Sequence, residues 1–312
     1  MKTQPVLILF LASLLAASSA SAQLYWDTNG TTAGAGGTPT GTWGVDNFWN
    51  TDSTGGAAGA FQIPTLGTDV VVFSAGTDAV NPYAISLNSA TQNARLVTFK
   101  DGSVTLNTGT LSLGNNGGLT VSSSTATGPT ISSGLTISGM QSFNVDASRT
   151  LTLDTGIFTR NAGATLNVLS TGTVTTTMTG LDAGSLVNGI IGPWASHGSG
   201  ASTKYATIDG SNNIVGFTGT ASTVAAIGNT PTANYEVAAV GTLGAGANIN
   251  TLRYTGAAGT IAGALTSTGI MNVSGNALTF SGAITGGSGG MVINAANGSI
   301  AFTSSVNNGG NM

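Results

Sequence analysis

A three-residue unit, aliphatic–polar–aliphatic, recurs along this chain more insistently than any other pattern. "VVVF" (Val70–Phe73), "AISL" (Ala84–Leu87), "RLVTF" (Arg95–Phe99) and "VTL" (Val104–Leu106) come first. "TLSL" (Thr110–Leu113), "LTV" (Leu119–Val121), "LTI" (Leu135–Ile137), "FNV" (Phe143–Val145), "LTL" (Leu151–Leu153) and "LNV" (Leu166–Val168) follow. Apolar residues at i and i+2 with Thr, Ser or Asn between them give the two-residue period of a strand that buries one face. Gly and Asn separate the bursts. After residue 22 no stretch carries the 3.6-residue period of an amphipathic helix.

Many short strands can build a sandwich, a barrel or a solenoid. Sandwich strands are longer, hairpin-linked and draw on several aromatics, whereas here aromatic residues are 6% of the chain and one unit simply repeats. Repetition of one unit favours stacking of coils. The expected fold is all-β: a right-handed parallel β-helix, with small aliphatics inside and Thr, Ser and Asn outside. At ~20–25 residues per coil and a rise of ~4.8 Å, about ten coils would form a rod of order 50 Å. Disorder is disfavoured, because disordered chains are poor in β-branched residues and carry high net charge.

Composition narrows the function. Charged residues are 6% of the chain, against roughly 25% in ordinary domains. The formal net charge is −4, and −5 without Lys2. So few cations cannot neutralise many phosphates, which argues against nucleic-acid binding. There is no cysteine and a single histidine, so disulfides, zinc, haem and thiolate chemistry are not expected. No metal and no cofactor is expected. Lys2, the apolar run Val6–Ala17 and the small residues Ala20 and Ala22 read as a signal peptide cut after Ala22. The run is shorter than the roughly 20 residues of a membrane span. The mature chain is thus expected to be exported, without a transmembrane segment, at the cell surface or outside the cell.

The expected organisation is a leader over 1–22, an N-terminal cap over 23–67 and β-helix repeats over 68–312. A loop at about 189–204 interrupts the repeats. Three of the four tryptophans fall in the cap segment. Solenoids need a cover over their open end, and aromatics bury much area per residue. Tyr25, Trp26, Trp43 and Trp49 could alternatively form a stacking platform for sugar rings. Asp27 and Asn29 look like the opening of a calcium loop, but the later acidic ligands are missing.

His197 sits in "ASHGSG" beside Ser196, Ser199 and Ser202. The stretch lacks the strand–elbow–helix context of a hydrolase nucleophile, so it reads as a turn with Trp194 folded over the coil edge. The densest charges are Asp146, Arg149, Asp154 and Arg160. Polysaccharide lyases on β-helices use carboxylates and an Arg or Lys base, which makes Asp146 and Arg149 the lyase candidates; surface ion pairs are the plainer reading. The one glutamate, Glu236, offers no paired carboxylate for a glycosidase. No catalytic residue is assigned.

Three stretches carry a family likeness: "YWDTNG…GTWGVDNFWN", "IIGPWASHGSGASTKYATIDGSNNIVGFTGT" and "FSGAITGGSGGMVINAANGSIAFTSSVNNGG" (Phe280–Gly310). In these the chain resembles bacterial autotransporter-associated β-strand repeat proteins. The last stretch departs from the repeat in lacking Lys-x-Gly after its first strand and the tyrosine near its end. The resemblance implies a passenger-type parallel β-helix at the cell surface or released, with structural or adhesive work and surface polysaccharide or other surface proteins as partners. It carries over no catalytic residue. The family's membrane barrel does not follow "SVNNGGNM", so truncation, or anchoring through another polypeptide, is expected.

Overall fold

Aliphatic side chains on one face of a strand are buried only if another layer covers them, and here the next coil supplies it. Leu24, Val71, Val97, Leu119, Phe143 and Val168 lie one above another in parallel register, and all are buried. Ile85, Leu106, Ile131 and Leu153 form a second such column in a facing sheet. Each fully buried aliphatic contributes roughly 1.5–3 kcal/mol. The computed structural model describes residues 22–56, 65–124, 128–287 and 289–308. It is a parallel β-solenoid of about 11 turns. The expected leader up to residue 21, residues 57–64 of the cap segment and the last four residues lie outside the described ones.

Coils close up where the sequence has no side chain. A Cβ on Gly117 would stand 1.5 Å from the Arg95 carbonyl oxygen, and one on Gly128 1.7 Å from that of Thr150. These glycines let adjacent backbones approach.

The first stack is closed at its start by aromatics. Trp26 and Trp49 pair across an antiparallel bridge, with ring centroids 4.9 Å apart. Trp43 meets Trp49 edge-on at 5.0 Å. All three lie against Phe73, which itself stacks on Phe99 at 5.9 Å.

The other end of this stack is closed by the interruption. The strand Ala195–His197 is its last parallel rung and places His197 on Val168. Lys204–Ile208 then pairs antiparallel with it, and Ile214–Gly216 antiparallel with Lys204–Ile208. In the facing sheet Thr176 takes the place above Leu153, buried and donating through Oγ1 to the Leu181 carbonyl at 2.9 Å. Parallel stacking stops because the inner positions become polar and the strand direction reverses.

A second stack follows with its own core. Thr220–Ser222, Asn229–Val237, Ala247–Tyr254 and Leu265–Asn272 pair in parallel, and Ile284–Gly286 and Val292–Asn294 both pair with Leu265–Asn272. A facing sheet carries Gly259–Ala262, Ala277–Phe280 and Ser299–Phe302. The two stacks do not continue as one rod. Asn234 Nδ2 donates to the Asn188 carbonyl at 2.7 Å, and the Tyr205 hydroxyl to that of Leu252 at 3.4 Å. A Cβ on Gly269 would lie 2.8 Å from the Pro193 ring. Val292 and Ile293, further on, share a cleft with Met140 and Thr165. The second stack therefore runs back beside the first, where the sequence pattern predicts a single column of coils.

Candidate functional site

The three cap tryptophans cannot serve as a sugar platform. Trp26, Trp43 and Trp49 are fully buried, and a sugar needs an accessible ring face. Their indole nitrogens point inward: Trp26 Nε1 donates to the Pro39 carbonyl at 2.8 Å and Trp43 Nε1 to Thr65 Oγ1 at 3.1 Å. Trp49 Nε1 has no hydrogen-bond partner among the described residues. Tyr25, immediately before Trp26 in sequence, is half-buried. Asp27 is buried too, and accepts from the Asn29 N–H and Asn50 Nδ2. It fixes a turn and faces no open loop.

Asp146 and Arg149 meet at one turn of the preceding coil. Asp146 Oδ2 accepts from the Ser123 N–H at 2.8 Å, and Arg149 Nε donates to the Ser123 carbonyl at 3.0 Å. Both groups of the proposed lyase pair thus hold the same peptide backbone. A general base needs to reach a substrate proton at hydrogen-bond distance, and this pair is turned to main chain. Asp154 accepts from Thr177 Oγ1 of the next coil at 2.9 Å. Arg160 donates through Nε to the Ala164 carbonyl and lies 5.0 Å from the centre of the Trp194 ring.

His197 is the half-buried last member of an aliphatic column. Burial lowers its pKa below the ordinary imidazole value. No described residue hydrogen-bonds the ring, and Lys204 stands opposite in antiparallel register. Ser202 donates to the Ser199 carbonyl and Ser196 to Asn167 Oδ1. Ser196 and Ser202 are thus held by other partners, Ser199 shares a shallow pocket with His197 without a hydrogen bond to its ring, and no Ser–His–acid chain forms among the described residues.

The same habit extends to the other ionisable side chains. All eleven carboxylates of the chain fall among the described residues, and each has a partner in the protein. Asp46, Asp69, Asp78 and Asp209 accept from backbone N–H groups. The Asn213 amides hold the Asp209 carboxyl below the usual range. Arg95 and Lys100 donate to carbonyls of the preceding coil or its turns.

Two features escape sequence reasoning. Glu236 pairs with Arg253 at 2.7 Å, and Arg253 also donates to the Thr203 and Ala201 carbonyls at 2.7 and 2.9 Å. This buried guanidinium fastens the second stack to the interruption. Beside it, Asn234 Oδ1 accepts from Asn250 Nδ2 and Thr251 Oγ1. Burial pushes the Tyr205 phenol pKa upward at the same junction. The only hint in the sequence is "NYEV" and "NINTLRY", strands whose apolar alternation is broken by polar residues.

The second feature is a cleft of about 480 Å³ between the stacks, lined by Trp194, Asn167, Ser199, Ile293 and Asn294 among others. Trp194 stacks on Phe158 at 5.9 Å and 10°. Among the described residues no group of three or more His, Cys, Asp or Glu is placed to hold a metal. No helix of the described residues is long and apolar enough to cross a membrane. Comparison with protein-family models, with curated proteins and with solved structures returns no match.

Proposed function

We propose that the protein is an exported, non-catalytic β-helical scaffold, a structural or adhesive passenger-like element of the cell surface or matrix. One observation carries this reading: the described charged side chains are engaged with backbone, hydroxyls or each other, as an architecture needs and an acid–base site does not. The leader-like start supports export, and the likeness to autotransporter-associated repeat proteins supports a passenger role. Fractionation of the native host with an antibody to the chain tests location; recovery from the cytoplasm at full length with the leader uncut overturns export. Incubating the pure protein with surface polysaccharides, with and without calcium, tests catalysis. The expected result is no product. Product release that disappears in Arg149→Ala, with an unchanged circular dichroism spectrum, overturns the scaffold reading.

A further inference from the structure

We propose that the cleft between the two stacks is a binding site for a linear, uncharged polysaccharide. The cleft joins a second of about 470 Å³ through shared walls at Thr165, Val292 and Ile293, so the concavity is elongated and suits a chain of sugars better than a single ring. Its aromatic is Trp194, the one tryptophan of the four that is not fully buried. Phe158 stacks on the indole and Arg160 lies over it. A ring fixed in this way loses little freedom when a sugar seats against the part of it that lines the cleft. Exposed Met140 and Ile293 add apolar surface for the C–H faces of the chain.

The polar groups are neutral and have capacity to spare. Asn167 Oδ1 is occupied by Ser196 Oγ at 2.9 Å, which leaves its Nδ2 as a donor. The Asn294 amide and Thr165 Oγ1 have no hydrogen bond to a described residue. Amides and hydroxyls beside an aromatic are the donors and acceptors that sugar hydroxyls need. Among the described residues no charged side chain lines the cleft at Trp194. In the adjoining part the one cation, Arg160, is engaged with Ala164 and Trp194. A uronate or phosphate chain would find no array of cations here.

The test uses the full chain with dextran, laminarin and mannan as uncharged probes and polygalacturonate as the acidic one. Acrylamide quenching of tryptophan fluorescence reports Trp194, since Trp26, Trp43 and Trp49 are buried. At least one uncharged polymer is expected to bind and shield the quenchable tryptophan. Asn294→Ala, at a half-buried position of the cleft wall, is expected to weaken binding about tenfold with no change in circular dichroism, as loss of one well-placed hydrogen bond does. Trp194→Phe should weaken it too and remove the quenching signal. Absence of binding by every uncharged probe overturns the proposal, as does binding that leaves quenching and Asn294→Ala unaffected, or a preference for polygalacturonate. The inference deepens the scaffold reading and rests on it only for the absence of turnover. Binding without product supports both, binding with product release keeps the cleft and overturns the scaffold, and no binding overturns the cleft alone.

Discussion

Trp26 and Trp49 share the aromatic cap but differ in one atom's surroundings, and that difference has a measurable size. Both are fully buried. Replacing either with Phe removes roughly 40 Å³ of side chain, for about 1 kcal/mol of cavity cost plus lost transfer energy, so each variant carries a shared loss of about 1–3 kcal/mol. Trp26→Phe also strips the donor from the buried Pro39 carbonyl, and an acceptor left unpaired in the interior costs about 1–3 kcal/mol more. Trp49→Phe deletes an N–H that has no hydrogen-bond partner among the described residues and incurs no such loss. Trp26→Phe is therefore expected to be less stable than Trp49→Phe by about 1–3 kcal/mol. Urea unfolding followed by far-ultraviolet circular dichroism measures the gap. Amide exchange over Gln23–Trp26 checks whether the cap opens ahead of the remaining coils, as stacked repeats allow. Equal losses, or a larger loss in Trp49→Phe, would refute the hydrogen-bond argument.

Arg253→Met leaves two carbonyls and Glu236 without their cation. It is expected to cost about 1–3 kcal/mol for each carbonyl left without its donor, with faster amide exchange over Lys204–Ile208; unchanged exchange there would count against a fastening role. Gly117→Ala drives a Cβ into the Arg95 carbonyl and should lower the urea midpoint sharply, whereas Gly210→Ala, with open space around it, should leave it within about 0.5 kcal/mol of the parent. For His197, burial lowers the folded-state pKa, so the unfolded chain takes up a proton first, near the ordinary value of about 6.5. Stability should hold above that pH and decline as pH falls from there through the folded-state pKa. His197→Asn should flatten this decline, and a slope that survives the substitution would assign it to another group.

The solenoid is legible because inner positions such as Val97, Leu119 and Phe143 are apolar and their strand neighbours polar, so two-residue alternation survives in the sequence. The cap is legible from tryptophan density alone. Repeats over 68–312 take in the second stack, but its separation from the first is not legible. Its strands bury Asn234, Asn250, Thr251, Ser267 and Asn272 in hydrogen-bonded rows, and a buried amide looks the same in sequence as an exposed one. The interruption was readable as a break at His197 and Trp194, but its continuation through Lys204–Ile208 and Ile214–Gly216 into an antiparallel end-piece was not. Nor was the cleft, whose walls come from residues more than a hundred positions apart and depend on the second stack turning back.

Because the ionised groups are tied up in fastening main chain and turns, the exterior meets its surroundings chiefly through hydroxyls, amides and small apolar groups. Dissolved salt screens charges over a Debye length of about 10 Å at 0.1 M, and such an exterior gives it little to screen. Contacts made by this protein should keep their strength from dilute buffer to brine, where a charged adhesin would let go.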